Sequence, residues 1–244
     1  MRFKVLCRYG KYPSKLGGNN SLFLSGSGAN IVIDMGSGAL SALENNDIQL
    51  CDLDAIVLSH LHFDHMSDLL PLVYKSAIYI KEKRLDKKIT VYLPETPTDI
   101  FSVIKNSEAF DLKIIKDDMT ALIKGLKLKF FAMKHPCETY AVRVESDGAI
   151  AAYTADTVYN ENIKDLISGC KYVFADACVL DKDYTDKSPH ISVKNIARLT
   201  NESGAKLVLV HLPPDGGLDD ILEEAKSENK NSEIADESKD YEII

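Results

Sequence analysis

Ala55-Ile56-Val57-Leu58-Ser59-His60-Leu61-His62-Phe63-Asp64-His65 is the stretch whose reading decides the fold of this chain. The apolar run Ala55 to Leu58 reads as a strand. Alternate residues of an extended segment point the same way, so His60, His62 and Asp64 are expected on one side. His65 breaks that alternation. One tetrahedral zinc does not readily take four groups from so short a stretch. Two metals a few ångströms apart can share them, His60 and His62 on one, Asp64 and His65 on the other. Imidazole together with carboxylate suits zinc, and also manganese or iron.

Outside that stretch, composition sets limits. The 244 residues suit one large α/β domain with a sizeable core. A formal charge of -8 argues against an extended nucleic-acid surface. The five cysteines, Cys7, Cys51, Cys137, Cys170 and Cys178, form no C-x-x-C pair and read as reduced core residues of a cytoplasmic protein. Cys137 lies two residues past His135, within reach of the site, although a small buried hydrophobe is its default reading. No stretch approaches the length of a membrane span or a signal-peptide core, so a soluble, unprocessed protein is expected.

Short β-type runs come first, then a helix, then more strands, then strands alternating with helices, an α/β pattern with two sheet-forming halves. Gly26-Ser27-Gly28 and Ser146-Asp147-Gly148 mark two hairpins. They resemble each other faintly, each leading through an apolar strand to an aspartate, Asp34 and Asp156, a weak hint of internal duplication. Helices are expected after His65, from Asn162 to Ser168, from Ser192 to Ser203 with Ser192 as N-cap, and from Leu218 to Ser227. Residues 226–244, rich in Glu, Asp, Ser, Asn and Lys, read as a solvated, partly mobile polar tail.

A second regularity is that Asp34, His60, His135, Asp156 and His211 each close an apolar strand. Strands fix position while the loops that follow leave room for a ligand, which makes one shared site plausible. With these residues in place, the chain resembles the metallo-β-lactamase superfamily of metal-dependent hydrolases. The likeness rests on Asp34 in Ile33-Asp34-Met35-Gly36-Ser37-Gly38, the H-x-H-x-D-H run, His135, Asp156 in Tyr153-Thr154-Ala155-Asp156-Thr157, and His211. It implies a four-layer αββα sandwich, two mixed β-sheets packed face to face with helices on both outer faces, as a single domain over residues 1–225. It also implies two divalent metal ions, with zinc favoured over manganese or iron. His60, His62 and His135 would hold the first, Asp64, His65 and His211 the second, and Asp156 would bridge them. Asp34 would orient a ligand histidine from behind.

The resemblance implies hydrolysis through a metal-bridging hydroxide, with Asp64, itself a ligand, and His190 as catalytic residues. His190 lies about twenty residues before His211, where the ribonuclease Z branch carries a non-ligand histidine that assists phosphodiester cleavage. Two departures point away from pre-tRNA. Only a short hairpin separates His135 from Asp156, where tRNA-processing members carry a long arm. Phe174-Ala175-Asp176-Ala177-Cys178 stands where they have His-Glu-Ala-Thr, and Asp176 keeps only the carboxylate, behind the ligands. The leading expectation is a phosphodiesterase of the ribonuclease-Z-like branch acting on a small or nucleotide phosphodiester. Alternatives are a tRNA 3′-processing endonuclease of ribonuclease Z type, a carboxyl-ester, lactone or thioester hydrolase, and, least favoured, a non-catalytic ligand sensor. Homodimers are common in the resembling branch.

Overall fold

In the computed structural model, which describes residues 1–244, the first half of the chain runs β1 (Arg2–Cys7), β2 (Ser21–Gly26), β3 (Ala29–Ile33), α1 (Ala39–Asn45), β4 (Ala55–Val57), α2 (Phe63–Met66), α3 (Leu69–Lys81), β5 (Ile89–Leu93), α4 (Thr98–Lys105) and β6 (Phe110–Ile114). The second half runs β7 (Thr120–Ile123), β8 (Leu126–Met133), β9 (Thr139–Ser146), β10 (Ala149–Tyr153), α5 (Asn162–Ile167), β11 (Tyr172–Asp176), α6 (Val193–Ser203), β12 (Lys206–Val210), α7 (Leu218–Glu228), β13 (Ser232–Ile234) and β14 (Asp240–Glu242).

These strands form two seven-stranded sheets, ordered β14-β1-β2-β3-β4-β5-β6 and β13-β12-β11-β10-β9-β8-β7. Each sheet is mixed in the same way. From β14 to β3 and from β7 to β10 neighbours are antiparallel. From β3 to β6 and from β10 to β13 they are parallel.

Strand alternation then sorts side chains into layers. Ile31 and Ile33 face inward with Phe3, Val57, Phe130, Tyr153, Phe174 and Val208 to form the core between the sheets, where the Phe3 and Phe174 rings stack 4.7 Å apart. Val32, Ile56 and Val91 face the other way, onto Leu43, Leu72 and Ile104 of α1, α3 and α4. Val173, Leu207 and Leu209 likewise meet Ile163, Ile196 and Ile221 of α5, α6 and α7. The central strands are therefore buried on both faces and read in sequence as continuous apolar runs. The result is the four-layer αββα sandwich.

Both hairpins form where the glycines mark them. Ser27 and Gly28 take φ of 46° and 77°, and Asp147 and Gly148 take 51° and 80°, the positive pair that a two-residue type I′ turn requires. Their tips touch, Ser27 Oγ lying 2.6 Å from Ser146 Oγ. Ser192 caps α6 by accepting from the Asn195 N–H at 3.3 Å, and Gly204 ends that helix at φ 76°.

Residues 226–244 depart from the expected solvated tail. They complete α7, add β13 to the edge of one sheet and β14 to the edge of the other. Ala235, Tyr241 and Ile243 are buried in the inter-sheet core, and Tyr241 packs edge-on against Phe174 with ring centroids 5.4 Å apart. Three apolar side chains anchor the segment, while Asp240 and Glu242 point to water. An edge strand with one wet face can be polar in composition. The cysteines also divide: all five are free, Cys7, Cys170 and Cys178 are buried, Cys137 is half-buried, and Cys51 is exposed rather than in the core. No helix is long and apolar enough to cross a membrane.

Candidate metal centre

The H-x-H-x-D-H run is extended only in its first part. Strand β4 stops at Val57, and Ser59 crosses to the second sheet, its carbonyl accepting from the Tyr140 N–H at 2.9 Å. His62 stands at the N-terminal boundary of α2 without a side-chain capping bond, and Asp64 and His65 lie within that one turn of helix. The strand alternation expected to carry Asp64 therefore ends at His62. Helical rotation is what lets the neighbours Asp64 and His65 both reach the site. The remaining residues lie just past strand ends: His135 after β8, Asp156 after β10, His211 after β12. Asp34, Ala155 and His211 take φ of 60°, 53° and 52°, a left-handed conformation uncommon for non-glycine residues, among which Asp and His adopt it most readily. Gly10 permits the approach of the β1–β2 loop, since a Cβ there would stand 2.4 Å from His211 Cε1.

Around His62, three imidazoles converge. His60 Nε2 and His135 Nε2 each lie 3.1 Å from His62 Nδ1. The opposite nitrogens are committed elsewhere. His135 Nδ1 donates to the Pro189 carbonyl at 3.1 Å. His60 Nδ1 donates to Ser59 Oγ at 3.0 Å, whose hydroxyl in turn donates to Asp34 Oδ2 at 2.9 Å. These partners assign the protons to Nδ1, so lone pairs on Nε2 of His60 and His135 face inward.

A second group lies beside the first. His65 Nδ1 donates to Asp34 Oδ2 at 2.8 Å, turning Nε2 toward Asp64 Oδ2 at 3.5 Å and Asp156 Oδ1 at 3.4 Å. His211 Nδ1 donates to Asp176 Oδ1 at 3.2 Å, and its Nε2 lies 3.1 Å from Asp64 Oδ2. Asp156 stands between the groups: its Oδ2 is 3.8 Å from His60 Nε2, 3.9 Å from His135 Nε2 and 3.4 Å from His211 Nε2. His190 stacks on His211 with centroids 5.3 Å apart. Its Nδ1 bonds Asp176 Oδ2 at 2.6 Å, so one Asp176 carboxylate holds His190 and His211 together.

Four carboxylates, Asp34, Asp64, Asp156 and Asp176, crowd this volume. Burial works against a charged His65, yet Asp156 and then Asp34 outweigh it and push its pKa up to about 10. Burial likewise opposes charge on His190, and Asp176 overrides it, pushing that pKa up to about 11. His60 goes the other way, held well below the usual imidazole value by burial and by the other histidines. The carboxylates thus demand positive charge, which with protons alone falls on His65 and His190.

Cations fit that demand. Converging lone pairs repel one another unless a cation lies among them. His65 Nε2 and Asp156 Oδ1 are buried with no hydrogen-bond partner, a cost that ligation removes. One donor atom from each of His60, His65 and Asp156, and from each of Asp64, His65 and His211, lies within 4.8 Å of the others in its group. Imidazole nitrogen with carboxylate oxygen is the donor set of zinc and other first-row divalent ions.

All ten residues singled out from the sequence, His60, His62, Asp64, His65, His135, Asp156, His190, His211, Asp34 and Asp176, come together here. Several participants escaped the sequence reading. Tyr153 Oη donates to Asp34 Oδ2 at 2.7 Å and accepts from Asn20 Nδ2 at 2.7 Å. The Lys11 backbone N–H donates to Asp64 Oδ2 at 2.7 Å. Tyr153 sits inside the quoted Tyr153-Thr154-Ala155-Asp156 segment and was legible only as a core residue; a backbone N–H such as that of Lys11 leaves no mark in a sequence.

A family model described as Anti-Pycsar protein Apyc1 matches residues 13–229. The Probable metallo-hydrolase YhfI of Bacillus subtilis (strain 168) is 26% identical over 235 residues, covering 93% of each chain. The crystal structure of the metallo-beta-lactamase fold protein YhfI superposes with a TM-score of 0.90 at 22% identity, covering 99% of both chains. Human tRNase Z, short form, gives a TM-score of 0.77 at 18% identity, with 100% of both chains covered. Zn(2+)-bound PqqB from Methylobacterium extorquens gives 0.75 at 15%, covering 99% of this chain and 100% of that one.

Proposed function

Because the chain belongs to the Anti-Pycsar protein Apyc1 family and is a metal-dependent hydrolase of the metallo-β-lactamase fold, we propose that it is a binuclear phosphodiesterase whose substrate is a small nucleotide phosphodiester, a cyclic nucleoside monophosphate in the first instance. His60, His62 and His135 would hold one ion, Asp64, His65 and His211 the other, and Asp156 would bind both, with zinc the favoured metal. Bound there, two divalent ions would supply a water nucleophile at neutral pH and neutralise charge on the phosphoryl oxygens.

The observation that carries the reading is the Asp176–His190 pair at 2.6 Å on the wall of the cleft. Nδ1 is engaged with Asp176, so the proton that His190 can give is on Nε2. Asp176 keeps the ring protonated and oriented, which suits a donor to the alkoxide leaving group of a phosphodiester. The cleft above the donors is small, about 140 Å³, and lined by His62, Asp64, His135, Asp156, His190 and His211. Wider grooves of about 500 Å³ and 540 Å³ adjoin it, one through His190 and the other through His135, space for the nucleoside on either side of the scissile bond. Only the β9–β10 hairpin lies between His135 and Asp156, which with the charge of -8 disfavours pre-tRNA.

The test is turnover by purified protein loaded with zinc or manganese, given cyclic nucleotides, a chromogenic phosphodiester, a lactone, a thioester and a pre-tRNA. Cyclic nucleotide hydrolysis is expected, and His190→Ala should lower it by about 10²–10⁴ while metal content is unchanged. Turnover confined to the acyl substrates or to pre-tRNA would overturn the proposal.

A further inference from the structure

Two of the five thiols lie among possible metal donors, Cys178 with Asp176, His190 and His211, and Cys137 with the three histidines of the first group. One donor atom from each of His60, His62, His135 and Cys137 lies within 4.8 Å of the other three. The sulfur has no strong partner of its own: Thr139 Oγ1 is 3.8 Å away and donates instead to the Cys137 carbonyl at 3.0 Å. The Leu61 N–H, between His60 and His62, faces the sulfur, so the thiol is packed against the H-x-H segment itself. Beside this cluster the buried Asp156 brings its Oδ2 to 3.8 Å from His60 Nε2 and 3.9 Å from His135 Nε2, negative charge that a cation among these donors would balance. Cys137 does not line the small cleft.

We propose that Cys137 is a fourth protein ligand of the first metal, completing a His₃Cys set when one equivalent of metal is bound. This rests on the metal-site reading above, with Cys137 in the position that Asp156 would take once both ions are bound. Three imidazole nitrogens and one thiolate make a closed four-coordinate site of the structural kind, whereas catalytic sites keep a position open. The thiol releases its proton to solvent as the metal–sulfur bond forms, because the thiolate is the ligand. The singly loaded protein is then a stable, inactive form, and the second ion is what makes the centre competent.

Cobalt(II) tests this without relying on turnover. At one equivalent per chain, wild-type protein should show the intense near-ultraviolet thiolate-to-cobalt charge-transfer band along with the visible ligand-field bands. Cys137→Ala should lose the first and keep the second, and bind the first equivalent at least about 10-fold more weakly, the lower end for losing even an outer partner. Cys178→Ala, which removes the thiol near His190 and His211, should change neither. X-ray absorption on singly zinc-loaded wild type should show one sulfur at about 2.3 Å, a readout that needs no variant to fold. Cobalt bound with ligand-field bands alone, or a charge-transfer band lost in Cys178→Ala instead, overturns the Cys137 assignment and leaves the metal site standing. Failure to bind cobalt at all overturns both.

Discussion

Strands β1 to β6 lie side by side in chain order in one sheet, and β8 to β13 do the same in the other, with β14 and β7 at the matching edges. The hairpin β2–β3 corresponds to β9–β10, Asp34 after β3 to Asp156 after β10, and the end of β4 to the end of β11. Yet the two halves bring donors to the centre differently. The first half concentrates His60, His62, Asp64 and His65 on one connection after β4. The second half spreads His135, Asp156, Asp176 and His211 over the ends of β8, β10, β11 and β12, with His190 ahead of α6. A single local segment thus sets the spacing of donors on one side, whereas on the other only the register of a whole sheet does. Precision on the scattered side depends on the fold being intact.

The broadest break in that comparison is truncation after Glu228, which strips β13 from one sheet and β14 from the other. Loss of a fully buried aromatic such as Tyr241 alone costs about 3–5 kcal/mol, and Ala235 and Ile243 go with it. We expect no cooperative thermal transition by circular dichroism. A folded, metal-binding fragment would mean that the edges are dispensable.

His62→Ala and His135→Ala compare the concentrated and scattered sides directly. Both rings meet at the same point, so each should remove one metal per chain by elemental analysis and lower kcat/KM by on the order of 10³-fold, about 4 kcal/mol. A much milder His135 variant would show that the contiguous run holds its ion unaided.

Next in size is the pair of carboxylates that orient histidines from behind. Asp34 accepts from Ser59, His65 and Tyr153, while Asp176 serves His190 and His211. Asp34→Asn leaves buried donors unmatched and should cost about 3 kcal/mol in urea unfolding. Asp176→Asn should cost less stability and show itself in turnover, through His190. Equal stability losses would contradict this division of work.

The smallest effect is the clasp between halves far from the metals, where Lys124 Nζ lies 2.9 Å from Asp54 Oδ2. Burial alone would raise the Asp54 pKa, but Lys124, the Asn30 N–H and Lys87 outweigh it and lower it. A carboxylate with a depressed folded pKa stabilises above its unfolded value, near 3.9, and loses that contribution as pH falls through the folded value. Asp54→Asn should therefore cost at most about 1 kcal/mol at neutral pH and flatten the fall of the urea midpoint between about pH 5 and pH 3. An unchanged slope would place the acid sensitivity elsewhere.

What was legible in the sequence follows the same division. The run from His60 to His65 could be read because its donors are contiguous. Asp34, Asp156 and His211 could be read because each ends an apolar strand, and His135 because it follows one. The Tyr153–Asp34 bond, the Pro189 carbonyl behind His135 and the Lys11 N–H on Asp64 join segments far apart in the chain and have no local pattern. The strands β13 and β14 were missed because three-residue edge strands carry too few apolar positions for a period-2 signal. The turn of helix at Phe63 was missed because histidine and aspartate fit a strand end and a helix start equally well.

The Met1 amino group donates to the Ile243 carbonyl at 3.1 Å, and the Ile243 N–H to the Met1 carbonyl at 2.9 Å. Because β14 lies along β1, a short Gly/Ser linker can join these ends without crossing the molecule. Opening the joined chain at the exposed Asp117-Asp118 turn would give a circular permutant in which the scattered half is synthesised before the concentrated one. The order in which the two donor sets emerge would then be reversed with every contact at the centre kept.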